Sequence, residues 1–445
     1  MKLPHSLQAV DIGRHWLQAR WRWAQLSRAN LETYQAARIS RITAYAQRRA
    51  PFYRDLWRGH DLARWQALPT VDKRLMMENF TDFNTRGVER EAAMRVALAA
   101  ERRRDFTPTI TGLTVGLSSG TSGHRGLFLV SPAEQRAWAG TILARTLHQR
   151  GRRPYRVAFF LRSNSNLYEH VDGRLVRLRY FDLMLPLEQA IEQLNDFQPQ
   201  LLVGPPSLLG LLADASGSSL HIAPERLISV AEVLEPQDRE HLQHCFGAPV
   251  HQIYQCTEGL IAVSCAHGSL HIQEDLVALQ LEPIAGDPER FTPIVTDLWR
   301  TTQPIVRYRL NDVLTLCRQQ CPCGSDFRVL ASIDGRCDDL FDFPTRAGGL
   351  RPVFPDLIRR MILLSSPDIV DYQALQDRCG QIQIRLDIRP ESDWAAIADT
   401  VRRSVQATLA SYDLCAAEIE LARGMLPVAP GAKRRRVWRR QALHP

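Results

Sequence analysis

The chain of 445 residues contains no run of about 18 apolar residues, which is the length that a membrane-spanning helix requires. The segment from Met1 to Leu7, which is followed by Asp11 and Arg14, also lacks the apolar stretch of a signal peptide. There is no internal repeat and no low-complexity linker. These absences argue against membrane insertion and secretion, and we expect a cytoplasmic protein.

The cysteines do not fit a secreted disulfide framework. There are nine of them, an odd number, and they are spread through a long chain. Such a distribution indicates a reducing compartment, where thiols stay free. Some of these thiols are therefore candidates to hold a metal ion.

Positive charge exceeds negative charge, but it is not concentrated as in a nucleic-acid-binding protein. The net charge is +8, yet the arginines are scattered along the chain. The densest basic cluster is Lys433 to Arg436, followed by Arg439 and Arg440. A solvated basic surface is the better interpretation of the excess charge, and we expect no nucleic-acid partner.

A hydrophobic content of 45% in a chain of this length predicts a large core divided among more than one domain. Residues 1–110 indicate a mostly helical leader, since Ile39, Ile42 and Ala46 recur at helical spacing. Beyond this leader, short apolar runs alternate with amphipathic stretches, which is typical of an α/β fold. Residues 270–316 predict a more β-rich subdomain because their apolar runs are not separated by long helices.

The last part of the chain predicts a second, smaller unit. It contains a strand at 382–386, a helix at 394–409 and a strand at 417–421, which suffice for a small domain. The expected fold class is therefore α/β, with a large N-terminal domain over residues 1–335 and a small α+β domain over residues 336–445.

A loop rich in serine, threonine and glycine follows the leader, with the sequence Leu117-Ser118-Ser119-Gly120-Thr121-Ser122-Gly123. Glycines let the backbone curl, and hydroxyl and N–H groups supply donors for several phosphate oxygens. The loop lacks the Gly-Lys-Ser/Thr ending of the Walker motif, and such a segment by itself is also typical of a surface turn. We predict that its residues from Ser118 to Gly123 bind the phosphates of ATP.

Further motifs follow this loop in the order that is found in a known superfamily. The loop resembles the phosphate-loop signature of adenylate-forming enzymes, and Tyr254 to Glu258 resembles their aromatic-x-x-Thr-Glu motif. Arg307 to Asp312 is similar to their Tyr-Arg-x-x-Asp motif, and Gly335 to Asp339 to their hinge. Gly431 to Lys433 resembles their C-terminal lysine motif.

The leader resembles one branch of this superfamily. Ala50 to Arg54, and Leu68 to Thr70 with Lys73, are similar to phenylacetate-CoA ligases and related enzymes, among them relatives of a synthetase that adenylylates a deazaflavin coenzyme. The resemblance extends over nearly the whole chain. It implies a large AMP-binding adenylation domain at 1–335 and a small mobile lid domain at 336–445.

The resemblance also implies a role for each matching residue. Glu258 would hold Mg²⁺ against the phosphates, as a hard oxygen ligand for a hard cation, and Thr257 would hydrogen-bond the α-phosphate. Asp312 would accept hydrogen bonds from the two ribose hydroxyls, supported by Arg336. Lys433 would reach the carboxylate and the α-phosphate oxygens and offset charge in the transition state.

Three more residues are implied by their position in these motifs. Asp338 would be the pivot of the lid, while Glu232 and Tyr254 would line the nucleotide and acyl pocket. Three positions depart from the family pattern: Ala231 stands where the family has glycine, Cys256 stands where glycine or a small residue is usual, and Arg125 follows the loop where lysine or threonine is common. Arg125 is therefore a candidate replacement cation, and a weakened phosphate loop is the alternative.

The implied reaction is attack of a carboxylate on the α-phosphorus of ATP, with release of pyrophosphate and subsequent transfer of the acyl group to CoA. A carrier protein or a non-thiol acceptor in a biosynthetic pathway is the alternative acceptor. A non-enzymatic, zinc-stabilised binding protein is a third hypothesis. The substrate would be a small carboxylic acid, aromatic by analogy, and a homodimer is one expected assembly.

A second cofactor is suggested by the cysteines. Cys321-Pro322-Cys323 is spaced too tightly for the common Cys-x-x-Cys zinc knuckle, so it needs a second half. Cys265 and His271 supply one, and some members of the branch look similar here. His267 and Cys317 are alternative ligands. A set of three cysteines and one histidine suits tetrahedral Zn²⁺, and four protein ligands would make this zinc structural.

Overall fold

The structure, a computed structural model, describes residues 5–118, 125–147, 154–161, 176–284, 287–427 and 433–440. No helix within these ranges is long and apolar enough to cross a membrane. The chain forms two compact units, the first composed of Met1–Leu310 and Leu316–Ala331, the second of Asn311–Thr315 and Ser332–Pro445. The functional domain limits inferred from the sequence, at residue 335, stay a prediction.

The leader is helical. Its helices are α1 (His5–Gln25), α2 (Arg28–Arg49), α3 (Pro51–Leu56), α4 (Lys73–Glu78), α5 (Phe80–Phe83) and α6 (Arg90–Arg103), with a 3₁₀ helix at Leu62–Ala67. Helix α2 ends at Arg49 because Pro51 disfavours a helical conformation at Ala50, and Pro51 then starts α3. Asp72 caps α4 by accepting from the N–H of Leu75 at 2.7 Å.

A small antiparallel sheet and a long helix follow the leader. They are β1 (Thr109–Ile110), β2 (Leu113–Leu117), β3 (Leu127–Val130) and α7 (Pro132–Thr146). Ser131 and Glu134 form a capping box at the start of α7. Helices α1 and α7 pack so closely that a Cβ on Gly140 would lie 2.5 Å from the carbonyl oxygen of Ile12. This contact therefore requires glycine.

The centre of the first unit is a parallel sheet covered by helices on both faces. Its strands are β4 (Tyr155–Leu161), β5 (Val176–Asp182), β6 (Leu201–Gly204), β7 (Arg226–Val230) and β8 (Val250–Cys256), in the order β5-β4-β6-β7-β8. Helices α8 (Leu187–Phe197), α9 (Pro206–Asp214) and α10 (Pro236–Phe246) alternate with them. Phe160 and Leu202 pack with Leu194 of α8, whereas Phe159 and Val203 face Ala139 of α7. Burial of both faces explains the continuous apolar runs of these strands.

Antiparallel strands extend this sheet. They are β9 (Gly259–Ser264), β10 (Leu270–Ile272), β11 (Val277–Ile284), β12 (Asp287–Asp297) and β13 (Tyr308–Arg309), followed by β14 (Asp312–Leu316) and β15 (Val329–Arg336). Strand β9 pairs with β8 and with β10, and β10 pairs with β15 through Leu270 and Leu330. The mixed α/β fold with a β-rich region that the sequence predicts is confirmed.

The second unit has its own sheet and core. Its further elements are a 3₁₀ turn (Cys337–Asp339), β16 (Phe341–Pro344), β17 (Leu350–Val353), α11 (Pro355–Leu363), β18 (Ile369–Gln376), β19 (Gln381–Ile388), α12 (Trp394–Ser411), β20 (Glu418–Arg423) and β21 (Val437–Arg439). The sheet order is β20-β19-β18-β21, and β21 lies parallel to β18 at the edge. Ile382 and Leu386 of β19 pack against Val401 and Val405 of α12.

Candidate active site

The carboxyl ends of β6, β7 and β8 meet at one edge of the parallel sheet, because these strands run in the same direction. Ligands of open α/β sheets bind at this edge. Glu232 follows β7, and Tyr254 lies near the end of β8. The Glu232 carboxylate accepts a hydrogen bond at 3.3 Å from the N–H of Ser207, which lies just beyond β6. The structure therefore places Glu232 and Tyr254 on neighbouring strands at this edge.

Ala231, one residue before Glu232, has a strained backbone. Its φ is 69°, and the N–H of Glu232 donates to the carbonyl of Val230 at 2.9 Å. This is the γ-turn with positive φ, the rare and strained form of the two γ-turns. Such conformations cost a residue with a Cβ of order 1–3 kcal/mol and cluster at functional sites. Alanine thus holds here a conformation that glycine adopts without steric strain.

Replacing Ala231 with glycine is expected to raise the free energy of unfolding by about 0.5–1 kcal/mol, since relief of the Cβ clash exceeds the added entropy of glycine. A thermal melt should show a Tm higher by about 1–2 °C. Ala215, at the end of α9 with φ −84°, is the control, and its exchange for glycine should lower Tm. An Ala231→Gly protein that melts lower than the parent would contradict the strain argument.

Thr257 and Glu258 occupy the turn between β8 and β9. The Thr257 hydroxyl donates to Oε2 of Glu258 at 2.9 Å, which joins the two side chains. Nη1 of Arg300 donates to the Thr257 carbonyl. The Asp297 carboxylate in turn accepts from the N–H groups of Trp299 and Arg300 at 2.8 and 2.9 Å. The segment after β12 therefore supports the Thr257 turn, a role for Arg300 that the sequence motifs did not suggest.

Tyr308 is buried beside Glu258. Burial raises the pKa of its phenol well above the ordinary value, and the charge of Glu258 adds to this rise. The hydroxyl consequently stays protonated at neutral pH and is available as a donor next to the carboxylate. The Tyr-Arg-x-x-Asp resemblance included this tyrosine, but assigned it no role.

Ser118 forms the base of the predicted phosphate loop. Its N–H donates to the carbonyl of Gly126 at 2.7 Å, and its hydroxyl accepts from the N–H of Gly126 at 2.7 Å. This closed pair fixes where the loop leaves and rejoins the small sheet. Residues Ser119 to Gly123 lie outside the described residues, so their phosphate contacts stay a prediction.

Two cations lie near the base of this loop. Arg125 donates from Nη1 to Oε2 of Glu101 at 2.6 Å, and this ion pair directs its charge to Glu101. Arg125 also donates from Nε to the Ser118 carbonyl at 3.4 Å, and Lys73, in the first turn of α4, lies beside the same base of the loop. A Cβ built on Gly126 would be 3.2 Å from Cε of Lys73 and 3.2 Å from the hydroxyl of Ser118. Lys73 is therefore a candidate phosphate-binding cation to which the sequence resemblance gave no role.

The scarcity of lysine is the signal that identifies Lys73 in the sequence. The lysines of the sequence are Lys2, Lys73 and Lys433, although lysine and arginine together number 56. Lysine carries a compact point charge, whereas arginine carries a planar fork of donors. Nearly all the basic residues of this chain are arginines. The few positions that carry lysine instead are therefore candidates for sites that require a compact charge. Both Lys73 and Lys433 lie in segments that resemble the family.

Asp312, Arg336 and Asp338 lie together in the second unit. Nε of Arg336 is 3.4 Å from Oδ1 of Asp312. The side-chain amide of Asn311 donates to Oδ2 of Asp338, and the N–H of Cys337 donates to the Asn311 carbonyl at 2.8 Å. The adjacent residues Asn311 and Asp312 thus contact the proposed pivot, Asp338, and Arg336, respectively.

Lys433 is half-buried and precedes a segment that is anchored by ion pairs. Arg434 and Arg436 both pair with Asp371 of β18, the second through Nε and Oδ1 at 2.7 Å. Arg435 pairs with Asp339, directly after the proposed pivot. The arginines of the basic cluster therefore attach the segment that follows Lys433 to the sheet and to the 3₁₀ turn.

Cys265, His271, Cys321 and Cys323 form a compact cluster in the first unit, with their ligand atoms all within 4.8 Å of one another. The thiols of Cys265 and Cys321 are 3.6 Å apart, and Sγ of Cys323 is 3.3 Å from Nε2 of His271. A tetrahedral zinc with Zn–S distances of about 2.3 Å needs ligand separations of about 3.8 Å. The cluster therefore has the dimensions of a four-coordinate zinc site.

The surroundings orient this cluster and exclude the alternative ligands. Nδ1 of His271 donates to the carbonyl of Phe327 at 2.8 Å, which leaves the Nε2 lone pair for a metal. His267 is exposed, and the thiol of Cys317 donates to the carbonyl of Gln319 at 3.7 Å. The predicted set is therefore brought together, and its two alternative ligands lie elsewhere.

Without a bound cation, the thiols of the cluster differ widely in pKa. Burial opposes ionisation of Cys321, but hydrogen bonds from Ser269 and Cys323 outweigh it and lower the pKa to about 6. Burial and the neighbouring Cys321 and Cys265 raise the pKa of Cys323 to about 12. Burial also opposes ionisation of Cys265, but hydrogen bonds with His271 and with the backbone of His267 lower its pKa. Two thiolates are therefore favoured, and their charges oppose ionisation of Cys323. A divalent cation would relieve this repulsion.

Comparison with known proteins gives relatives and similar structures. No protein-family model matches the chain. The chain is 25% identical over 393 residues to a phenylacetate-coenzyme A ligase of Thermus thermophilus, a match that covers 80% of each protein. It is 25% identical over 231 residues to protein CapK of Staphylococcus aureus, which covers 50% of this chain and 47% of CapK.

Solved structures of CoA ligases share the fold. 2-Hydroxyisobutyryl-CoA ligase in the postadenylation state superposes with a TM-score of 0.71 at 18% identity, over 92% of this chain and 90% of that one. The anthranilate CoA ligase AuaEII gives a TM-score of 0.51 at 14% identity, over 72% and 66% of the two chains. These likenesses confirm the predicted resemblance to adenylate-forming enzymes of the phenylacetate-CoA ligase-like type.

Proposed function

We propose that the protein is an AMP-forming ligase, which activates a carboxylic acid as its acyl-AMP and then transfers the acyl group to CoA. The observation that carries this proposal is the position of Thr257 and Glu258, which directly follow β8 at the edge where Glu232 and Tyr254 also lie. A relative and a solved structure that match this chain over most of its length bear the name of CoA ligases. The motifs that resemble those of adenylate-forming enzymes stand in the sequence in that superfamily's order.

The first half-reaction sets the requirements for the site. A bond forms between a substrate carboxylate oxygen and the α-phosphorus, and the bond from that phosphorus to the bridging oxygen breaks, so that pyrophosphate leaves. Two anions must approach each other, and positioned cations and donors must offset their repulsion. Glu258 is the residue that would hold Mg²⁺, which supplies charge neutralisation at the phosphates.

The other residues would hold the reacting groups in place. The Thr257 hydroxyl would donate to the α-phosphate, and Lys73 with the Ser118 loop would bind the phosphates that leave. Asp312 would accept from the ribose hydroxyls, with Arg336 at its side. Lys433 would contact the carboxylate and the α-phosphate oxygens. Tyr254 and Glu232 would line the pocket for adenine and the acyl group.

We also propose that Cys265, His271, Cys321 and Cys323 hold a structural Zn²⁺. The separations of their ligand atoms and the backbone carbonyl that orients His271 support this proposal. With four protein ligands, such a zinc has no open position for a substrate. It would connect two segments of the first unit without taking part in the chemistry.

The test is pyrophosphate release from ATP and Mg²⁺ with a panel of carboxylic acids, with and without CoA. One acid should stimulate release, and acyl-CoA should form only when CoA is present. Glu258→Gln should lose most of this activity. Release without acyl-CoA formation would assign another acceptor, such as a carrier protein. If the protein does not bind ATP, the proposal fails, and the non-enzymatic, zinc-stabilised binding protein becomes the better hypothesis. Transfer to a carrier protein, a homodimer and a cytoplasmic location stay predictions.

Asp371→Asn is expected to slow pyrophosphate release about tenfold, because Arg434 and Arg436 would lose the carboxylate that positions Lys433. The change should lower kcat more than it raises KM for the acid. Asp377→Asn is the matched control, since its arginine partner is exposed and 3.4 Å away, and it should retain full activity. Equal rates in both variants would show that the ion pairs do not position Lys433.

A further inference from the structure

A cavity of about 380 Å³ lies in the first unit between α1, α2 and the segment that follows β12. Its lining includes Arg14, Trp21 and Arg22 of α1, Arg38 of α2, and Trp299. None of these side chains has a role in the proposed reaction. The volume lies within the range of about 300–1,000 Å³ that is typical of small-molecule sites.

Arg38 forms no ion pair with any described carboxylate. Its guanidinium carbon lies 3.5 Å from the ring centroid of Trp299, and that of Arg22 lies 5.0 Å from the same ring. Nη2 of Arg38 donates to the carbonyl of Leu298 at 2.9 Å. Its Nε is buried and has no hydrogen-bond partner among the described residues. A buried donor without an acceptor is costly, and negative charge in the adjacent cavity would offset part of the cost of burying this guanidinium.

Two carboxylates near the cavity are each shared by two arginines, and a third, Asp297, also acts on Arg38. Oδ2 of Asp275 is 2.7 Å from Arg22 and 2.8 Å from Arg145, so this carboxylate balances only one of the two charges. Asp11 pairs with Arg14 at 2.7 Å and with Arg136 at 2.8 Å. The described ion pairs therefore leave a surplus of positive charge around the cavity.

His15 also lines the cavity, and the direction of its pKa shift is consistent with the surplus of positive charge. Burial lowers the pKa of His15 below its ordinary value, and Asp11 opposes the shift. The charges of Arg14, Arg22 and Arg136 lower it further. His15 is therefore neutral at pH 7 and contributes no additional charge to the cavity.

We propose that this cavity binds a small anion that carries a planar ring, namely a phosphate or carboxylate group attached to an aromatic system. Arg38 and Arg14 would donate to the anionic oxygens, as guanidinium groups do in bidentate recognition. Trp21, which is 61% exposed at the rim, would stack on the ring. The site is separate from the proposed adenylation chemistry and does not depend on it.

The test uses the full-length protein without ATP or Mg²⁺. Naphthalene-2-carboxylate and 2-naphthyl phosphate are titrated by calorimetry, beside inorganic phosphate and the neutral naphthalene-2-carboxamide. Both ring-bearing anions should bind, the amide at least tenfold more weakly. Arg38→Met should weaken both anions at least tenfold, and Arg48→Met, an exposed arginine of α2, should leave them unchanged. Trp21→Ala should weaken the ring-bearing anions but not inorganic phosphate.

A second readout is independent of any substitution near Arg38. The imidazole of His15, followed by NMR, should show a higher pKa when the anion is bound, because the anion stabilises the imidazolium. If Arg38→Met unfolds the protein, Arg14→Gln, an exposed position, should still weaken binding severalfold. Equal affinity for the amide and the carboxylate would overturn the proposal. Loss of binding in Lys433→Ala instead would place the probe in the proposed active site and would overturn it too.

Discussion

Lys433→Ala is expected to lower acid-dependent pyrophosphate release by a factor of about 10²–10³, the usual cost of removing a group that stabilises charge in the transition state. The effect should appear in kcat, because the ammonium group is needed most when the carboxylate oxygen and the α-phosphate oxygens approach each other. Binding of ATP alone should change by less than tenfold. Single-turnover measurements with the preferred acid separate the two effects.

Arg440→Ala is the control for this variant. Arg440 lies on the same segment, carries the same charge and pairs with Asp377 at the surface. This substitution removes a positive charge near the end of β21 and retains Lys433. The rate of pyrophosphate release should stay within about twofold of the parent. A Lys433→Ala protein with the activity of the Arg440→Ala protein would show that another cation serves the transition state, with Lys73 as the next candidate.

Loss of the proposed zinc ion is expected to have the largest effect on stability. Cys321→Ser, or treatment with a strong chelator, should lower the free energy of unfolding of the first unit by about 3–5 kcal/mol. Two causes combine: the remaining thiols repel one another once ionised, and the link between Cys265 and Cys321, which are 56 positions apart, is lost. Denaturant unfolding with and without chelator, together with metal analysis, measures this effect.

Cys317→Ser provides the matched change. Cys317 lies four positions before Cys321, but its thiol is directed to the Gln319 carbonyl and not to the cluster. This variant should bind one zinc per chain and unfold at the parent midpoint. A protein that contains no zinc as purified from zinc-supplemented cells, and that is indifferent to chelators, would refute the zinc proposal while leaving the proposed ligase activity untouched.

The fold could be predicted from the sequence wherever the spacing of apolar residues determined it. The helix expected at 394–409 is observed at Trp394–Ser411, and the strand expected at 382–386 at Gln381–Ile388. Both have one face in the core of the second unit, so their periodicity is visible in the residues themselves. The second helix of the leader ends at Arg49, and the alanine before Pro51 is extended, as that proline requires.

The partners of individual side chains could not be predicted from the sequence, because they depend on the register of the strands. Asp371 meets Arg434 across 63 positions only because β21 lies parallel to β18 with Ala374 opposite Val437. The competition between His267 and His271 was decided in the same way. His271 lies within β10, where its ring turns into the interior, whereas His267 lies in the turn before that strand. Local sequence spacing fits both histidines equally well.

The three-residue strand β21 also protects the second unit from self-association. It covers part of the edge of β18, a strand of eight residues with mostly buried side chains. An open edge of this length and composition would offer unpaired N–H and C=O groups to another chain, a common origin of aggregation. Short strands with charged side chains, such as Arg439 beside Asp342, are poor templates for such pairing. Substitutions that detach the Lys433 segment would therefore reduce solubility as well as activity.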